Sequence, residues 1–349
     1  MNPITYSENS VSSKLLKFLE KNYPLSKWVF LVDDQTHILC YEKILSSNFY
    51  DISIEIIQVE TGEENKSIEQ SIQLWETFTE YGFSKNTVLI VIGGGVLCDL
   101  GAFVASTYKR GIPYVLVPTT LLAMVDASIG GKCGVNFLQY KNQIGLFSEC
   151  KRIFIDDIFL KTLPEKELIC GLAEMLKHAL IADYNFWKKI RKNELHNISI
   201  KQIKEATQIK MKIVLQDPYE KNVRKILNFG HTFAHAIEHL FLNENCNLSH
   251  GEAVLWGMVY ELQLSVKHLK MPKKEAKEVI QFIKQYTSIP NWTSEQIKEI
   301  IIAMRQDKKN NTTNINFTLL SKIGQATFDC FLSEIEILEV FQEVNQSIK

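Results

Sequence analysis

Thr87-Val88-Leu89-Ile90-Val91-Ile92-Gly93-Gly94-Gly95-Val96-Leu97-Cys98-Asp99 is the stretch on which the fold turns. A short, uninterrupted apolar and β-branched run bounded by glycine predicts a strand buried on both faces. The strand runs directly into three glycines. Such a junction, opening a helix, lets backbone N–H groups approach a pyrophosphate at the helix N-terminus. It is not the usual dinucleotide fingerprint, because G-x-G-x-x-G requires glycine where Cys98 stands. Taken alone, the glycine run reads equally well as a tight βα turn.

Nine of the 16 glycines lie between Gly93 and Gly145. Dense glycine in a globular chain signals tight turns or close backbone approach to a ligand. Upstream, Trp28–Val32, closed by Asp33-Asp34, and Ile52–Val59 predict two more strands. Ser67–Tyr81 has helical spacing through Ile68, Ile72, Trp75 and Phe78. Downstream, Tyr114–Val117 predicts a fourth strand, closed by Pro118. Short apolar strands alternating with helices argue for a parallel sheet covered on both faces. After about residue 160 the pattern turns helical: Glu165–Ala182, Ile198–Leu215, His231–Leu242, Glu252–Leu269, Lys273–Tyr286 and Ser294–Met304. A strand signal returns at Ile315–Leu320. The expected organisation is an α/β nucleotide-binding domain with a mostly parallel sheet over residues 1–156 and a mainly α-helical domain over 157–349. A cleft between two such halves is a common place for a ligand.

The whole chain sets outer limits. At about 150 residues per domain, 349 residues suggest two domains. With 46% hydrophobic, 23% charged and 10% aromatic residues, the chain is neither disordered nor collagen-like. A net charge of −1 argues against a nucleic-acid surface spread over the molecule, while leaving room for a local basic pocket. The longest near-apolar stretch, Val88–Cys98, is too short to span a bilayer, and the opening MNPITYSENS lacks a signal-peptide layout. The expectation is a soluble, cytoplasmic protein without membrane or nucleic-acid partners. Seven scattered cysteines, an odd number with no C-x-x-C pair, argue against a disulfide framework and a four-cysteine zinc site. Arginines number five, at positions 110, 152, 191, 224 and 305, so an arginine inside a motif carries extra weight.

Three further segments bear chemistry. Gly130-Gly131-Lys132 resembles the end of a phosphate-binding loop. G-x-x-x-x-G-K-[ST] would need glycine at Asp126 and a hydroxyl residue at Cys133, which disfavours an ordinary nucleoside triphosphatase. A lysine after paired glycines suits a phosphate, and equally a surface turn. His231 and His235, at i and i+4, share a helix face that His239 continues. With His250 or Glu174 they could build a metal site, though H-x-x-x-H alone reads first as polar core histidines. The protease signature HExxH is absent, because Thr232 occupies its glutamate position. Glu174 and Lys177, at i and i+3, read as a helix-surface ion pair.

Together GGGVLCD (93–99), TYKRG (107–111), PTTLLAMVDASIGGKCGVN (118–136), KNQIGLF (141–147), GLAEMLKH (171–178), RKILNFGHTFAH (224–235), HGEAV (250–254) and DKK (307–309) closely resemble, in order and spacing, the motifs of the 3-dehydroquinate synthase family. The resemblance runs from Gly62 to Gly324. It implies an N-terminal nucleotide-binding domain, a helical metal-binding domain and an active site in the cleft. The implied reaction turns 3-deoxy-D-arabino-heptulosonate 7-phosphate into 3-dehydroquinate and phosphate, the second step of the shikimate route to aromatic amino acids. It proceeds by transient oxidation with NAD, phosphate elimination, reduction and intramolecular aldol closure. The implied cofactors are catalytic NAD and a divalent metal, Zn2+ or Co2+, in a homodimer.

Carried over by motif position, the resemblance implies Glu174, His231 and His250 as metal ligands, with His235 near the substrate phosphate instead. NAD would meet Asp34, Glu63, Lys66, Gly94, Gly95, Asp99, Thr119, Thr120, Asp126, Lys141 and Thr162. Lys132, Asn142, Asn228 and His235 would hold the phosphate, with Arg110 reaching it from the neighbouring subunit. Lys210, Arg224, Lys308 and Lys309 would hold the substrate carboxylate. The chain departs from the commoner pattern at Ala102 and Ala234 (often glycine), Met124 (often glutamine), and Ala127 and Cys133 (often hydroxyl residues). Alternatives are a sister sugar-phosphate cyclase, a metal-dependent alcohol dehydrogenase of the glycerol-dehydrogenase type, and a non-catalytic NAD-binding protein. The intact Lys210, Arg224 and Asp307-Lys308-Lys309 positions favour a carboxylate-bearing substrate.

Overall fold

A computed structural model describes residues 3–45, 49, 54–138, 140–243, 248–306 and 314–348. The described strands are β1 (Ile4–Ser7), β2 (Trp28–Asp33), β3 (Glu55–Val59), β4 (Val88–Gly93), β5 (Tyr114–Pro118), β6 (Lys132–Phe137), β7 (Tyr140–Phe147), β8 (Arg152–Asp156), β9 (Ile315–Lys322) and β10 (Gln325–Leu332). Six of them form one sheet in the order β1-β8-β5-β4-β2-β3, with every neighbouring pair parallel. Every residue of β4 and β5 is buried, as a sheet covered on both faces requires. The expected start of the second strand, at Ile52, lies outside the described residues; β3 begins at Glu55. β1 and β8, which the sequence reading did not anticipate, form one flank of the sheet and pair from Ile4↔Ile153 to Ser7↔Asp156.

The chain leaves β2 for β3 on one side and returns to β4 on the other. This reversal is a topological switch point, where strand carboxyl ends diverge and leave a crevice for a ligand. Asp33-Asp34 and Gly93-Gly94-Gly95 end the two strands there. The helix Gly95–Thr107 follows at once and is buried over most of its length. At Gly101 a Cβ would lie 2.6 Å from Val91 Cγ2, so glycine lets this helix sit close against β4. Asp156, fully buried at the end of β8, accepts backbone N–H bonds from Asn9, Ser10 and Val11 at 2.9, 2.9 and 3.0 Å. It thereby satisfies the start of the Val11–Asn22 helix, whose own N-cap Ser10 makes no side-chain bond.

Gly130-Gly131-Lys132 does not open a helix, as a phosphate-binding loop would. Gly130 and Gly131 turn at φ 108° and 69°, and Lys132 starts β6, which pairs antiparallel with β7. Gly134 faces Gly145 there, and a Cβ on Gly134 would meet the Ile144 carbonyl at 2.6 Å.

Two units divide the chain. One holds Met1–Leu168 with Ile198–Thr207, the other Ile169–Asn197 with Gln208–Lys349. The second contains most of the helix Glu165–Ala182, the C-terminal half of Ile200–Gln216, and all of His231–Asn243, His250–His268, Lys273–Ile283, Ser294–Gln306 and Glu334–Ile348. The predicted Ile315–Leu320 strand is β9, and β10 pairs with it around Gly324. Aromatic rings form this unit's centre: Phe233 stacks on Tyr260 at 4.9 Å between centroids, and Phe341 packs against both.

Candidate active site

In the helical unit, three helices bring three side chains to one place. Glu174 lies midway along Glu165–Ala182, His231 opens His231–Asn243, and His250 opens His250–His268. Two glycines allow the approach. A Cβ on Gly251 would lie 2.3 Å from the Cys170 Cα, and one on Gly257 would lie 2.0 Å from the Gly230 carbonyl oxygen. Gly230 itself has φ 83°, and its N–H donates to the buried Glu261 carboxylate at 2.6 Å. A capping box between Ser249 and Glu252 fixes the backbone at His250.

The His231 and His250 Nε2 atoms stand 3.4 and 3.6 Å from Glu174 Oε1. One ligand atom from each of the three residues lies within 4.8 Å of the others. Each imidazole turns its Nδ1 to a different partner: His231 to the Phe229 carbonyl and His250 to Glu238 Oε1, both at 3.2 Å. Two imidazole nitrogens and one carboxylate oxygen are a donor set that fits a catalytic divalent ion such as zinc, with positions left for substrate.

Burial alone would raise the Glu174 carboxyl, but the Lys177 ammonium and His231 outweigh it and hold it well below its usual range. Burial and the Lys177 charge push His231 down to about 4. At His250 burial is outweighed by hydrogen bonds to Glu174 and Glu238, which push it up to about 10. The Glu174–Lys177 pair is not the helix-surface pair that its spacing suggests. The side chains are 1% and 2% exposed, because this turn of the helix is packed on all sides.

His235 is exposed, its ring 5.4 Å from that of His231. Lys210 and Arg224 are both buried. Arg224 ends a loop organised by Asp217, whose carboxylate accepts the N–H groups of Lys221, Asn222 and Arg224 at 3.0, 2.6 and 3.1 Å. The Arg224 Nη1 donates to the Pro218 carbonyl at 2.5 Å, and Asn228 Nδ2 to Glu220 at 2.9 Å. Lys308 and Lys309 lie outside the described residues.

In the α/β unit, Asp34, Gly94 and Gly95 sit at the switch point. Asp34 accepts the Thr61 N–H at 2.8 Å and also its hydroxyl, which lowers its carboxyl. Buried Lys66 meets Asp99 at 2.5 Å. Asn136 ties Glu63 Oε1 (2.9 Å) and the Lys66 carbonyl (2.7 Å) to the hairpin, and its own Oδ1 accepts the Asn142 N–H at 2.9 Å. Thr119 donates its N–H to the Gly93 carbonyl at 3.0 Å. Thr120 Cγ2 would stand 3.1 Å from a Cβ on Gly94. Thr162 accepts from Lys43 Nζ at 3.0 Å. Asp126 is half-buried; Lys132, Lys141, Asn142 and Arg110 are exposed. Cys133 alternates to the buried side of β6, away from Lys132, and burial pushes its thiol up to about 12.

Residues 56–170 match the family model "3-dehydroquinate synthase N-terminal", and residues 171–310 match "3-dehydroquinate synthase C-terminal". The 3-dehydroquinate synthase of Thermoanaerobacter pseudethanolicus is 38% identical, across 97% of this chain and 96% of that one. That of Parabacteroides distasonis is 34% identical, across 94% of each. The chain belongs to the 3-dehydroquinate synthase family.

Structures of other sugar-phosphate cyclases are similar to this family member along its length. A 2-epi-5-epi-valiolone synthase from Streptomyces hygroscopicus, solved with NAD+ and Zn2+ bound, superposes with a TM-score of 0.84 at 25% identity, covering 99% of this chain and 97% of that one. A glycerol dehydrogenase from Schizosaccharomyces pombe shares the fold alone, with a TM-score of 0.69 at 15% identity over 99% of this chain and 89% of that one. The sister-cyclase and dehydrogenase alternatives thus stand further off than the synthases. Among the described residues no helix is long and apolar enough to cross a membrane. The sequence reading of this 3-dehydroquinate synthase family member missed Asn136 and Asp217. Each acts through a fold-made contact, and only the Asp217-Pro218 turn signal pointed towards one.

Proposed function

We propose that this chain is a 3-dehydroquinate synthase, converting 3-deoxy-D-arabino-heptulosonate 7-phosphate into 3-dehydroquinate and phosphate. The observation that carries the reading is similarity to synthases across 97% of the chain, joined to the convergence of Glu174, His231 and His250. NAD, when bound, accepts and returns a hydride, and zinc or cobalt, when bound, polarises the hydroxyl being oxidised.

The chain's own residues supply binding and orientation. Asp34 and Glu63 suit ribose hydroxyls and would repel the extra phosphate of NADP. Gly94 and Gly95 present backbone at the start of a helix, where a pyrophosphate is favoured. Lys66, Asp99, Thr119, Thr120, Asp126, Lys141 and Thr162 complete the proposed cofactor contacts. Lys132, Asn142, Asn228 and His235 would hold the leaving phosphate, whose own oxygen serves as the base for elimination. Lys210, Arg224, Lys308 and Lys309 would fix the substrate carboxylate, the arginine by a bidentate contact. These are mainly tasks of orientation and charge stabilisation.

We further propose a homodimer in which Arg110 serves the neighbouring site, and a cytoplasmic location in keeping with cysteines that, among the described residues, are mostly buried and joined in no disulfide. Comparison of the seven-carbon substrate with an analogue lacking its carboxylate tests the substrate reading. The synthase assignment expects turnover of the carboxylate-bearing compound alone. Equal turnover of both would favour a sister cyclase, and net NADH accumulation a dehydrogenase.

A further inference from the structure

We propose that Glu238 is a positioning residue of the metal site, its carboxylate holding the His250 ring so that Nε2 faces the ion. The proposal rests on the reading of Glu174, His231 and His250 as ligands. Glu238 follows His231 by seven residues on one helix, two turns along the same face. It is 7% exposed, and its Oε1 stands 3.2 Å from His250 Nδ1. The other nitrogen of that ring, Nε2, stands 3.6 Å from Glu174.

A neutral imidazole has one N–H and one lone pair. An acceptor at Nδ1 requires the proton there, which leaves the Nε2 lone pair for a metal. His231 meets the same requirement through a backbone oxygen, that of Phe229. His250 meets it through a side chain, the one of the two devices that substitution can remove. His250 also has the greater need, since its side chain is 31% exposed against 13% for His231 and less packing holds its ring. A carboxylate on the outer nitrogen of a metal-bound histidine fixes ring orientation and strengthens the ligand. Burying a carboxylate is costly unless it is partnered, so Glu238 is an expensive choice for mere filling of space.

The test uses the full chain, stripped of metal, as wild type and as Glu238→Ala, Glu238→Gln and Glu238→Asp. Thermal melting of the metal-free proteins reports any purely structural role. Zinc affinity is measured by competition with a chelator and extrapolated to its pH-independent limit, so that competition from protons drops out. The visible spectrum of the cobalt-loaded proteins reports ligand geometry. The proposal expects Glu238→Ala, folded but melting somewhat below wild type because His250 loses a buried partner, to bind zinc about 10–100-fold more weakly and to shift the cobalt bands. Glu238→Gln keeps an oxygen that accepts from Nδ1–H and should lose clearly less. Glu238→Asp keeps the charge but withdraws the acceptor, and should lose more than Gln. Wild-type zinc affinity and cobalt spectrum in a folded variant lacking the acceptor would overturn the proposal. Glutamine losing more than aspartate would overturn it too, since charge rather than ring orientation would then decide. A wild-type chain that takes up no zinc would overturn the ligand assignment itself, a different result from a variant-specific change.

Discussion

Glu174 carries a negative charge where almost no water reaches, and the Lys177 ammonium is set against it. Breaking a buried pair costs far more than the pair contributes, because the remaining charge loses its partner in a low-dielectric place. In the metal-free chain, Glu174→Gln should therefore lower stability by about 3 kcal/mol or more, and Glu174→Gln combined with Lys177→Met should recover most of it. Urea denaturation of the single and double variants checks this; additive losses would contradict it. Zinc binding should vanish in Glu174→Gln and in His250→Ala, since each removes one of the three proposed ligands. Arg224→Lys tests a different task. It keeps the charge but loses the planar fork, so substrate affinity should fall about tenfold or more while NAD affinity barely moves. Titration calorimetry with each compound would show it, and equal loss of both would count against the carboxylate role.

Elements differ in how plainly the sequence announces them. β2, β4 and β5 were legible because almost every residue is apolar, and their glycine, aspartate and proline ends are strong punctuation. The β6–β7 hairpin was not, because β7 is largely exposed and its polar run lacks a period-two pattern. Asp156 capping a helix that starts some 145 residues earlier is a product of strand pairing, which no local motif encodes. The candidate metal site was legible in part: the His231 helix was plain, but the convergence of Glu174 and His250 depends on two close helix approaches. Gly251→Ala tests that dependence. Its new methyl would collide with the Cys170 backbone, so it should cost about 1–3 kcal/mol of stability and weaken zinc binding, as melting and chelator competition would report. The Asp217 loop carries a pH signature. Burial alone would raise this carboxyl, but the backbone N–H groups of Asn222, Lys221 and Arg224 lower it below 3.8. Its stabilisation is complete above the unfolded value and is lost as pH falls through the lower folded one. The difference in urea midpoint between wild type and Asp217→Asn should stay constant from neutral pH to about pH 5 and then narrow as the wild-type carboxylate is protonated. An equal drop in both proteins would contradict this role.

In the whole molecule, the α/β unit carries the candidate cofactor residues and the helical unit the candidate metal ligands for the proposed redox cycle, which consumes no net oxidant. The α/β unit ends β2 and β4 at a switch point with acidic and glycine residues, and the helical unit gathers a carboxylate and two imidazoles. A dehydrogenase with the same fold would release NADH, whereas a synthase returns the hydride to its own intermediate. The decisive measurement is phosphate release from 3-deoxy-D-arabino-heptulosonate 7-phosphate by the zinc-loaded chain, with NAD far below the substrate concentration and absorbance followed for NADH. The 3-dehydroquinate synthase assignment requires many phosphates released per NAD, no accumulation of NADH, and loss of release on chelation that zinc restores. A folded, zinc-loaded chain that releases no phosphate, or that releases it only as NADH builds up, would contradict it.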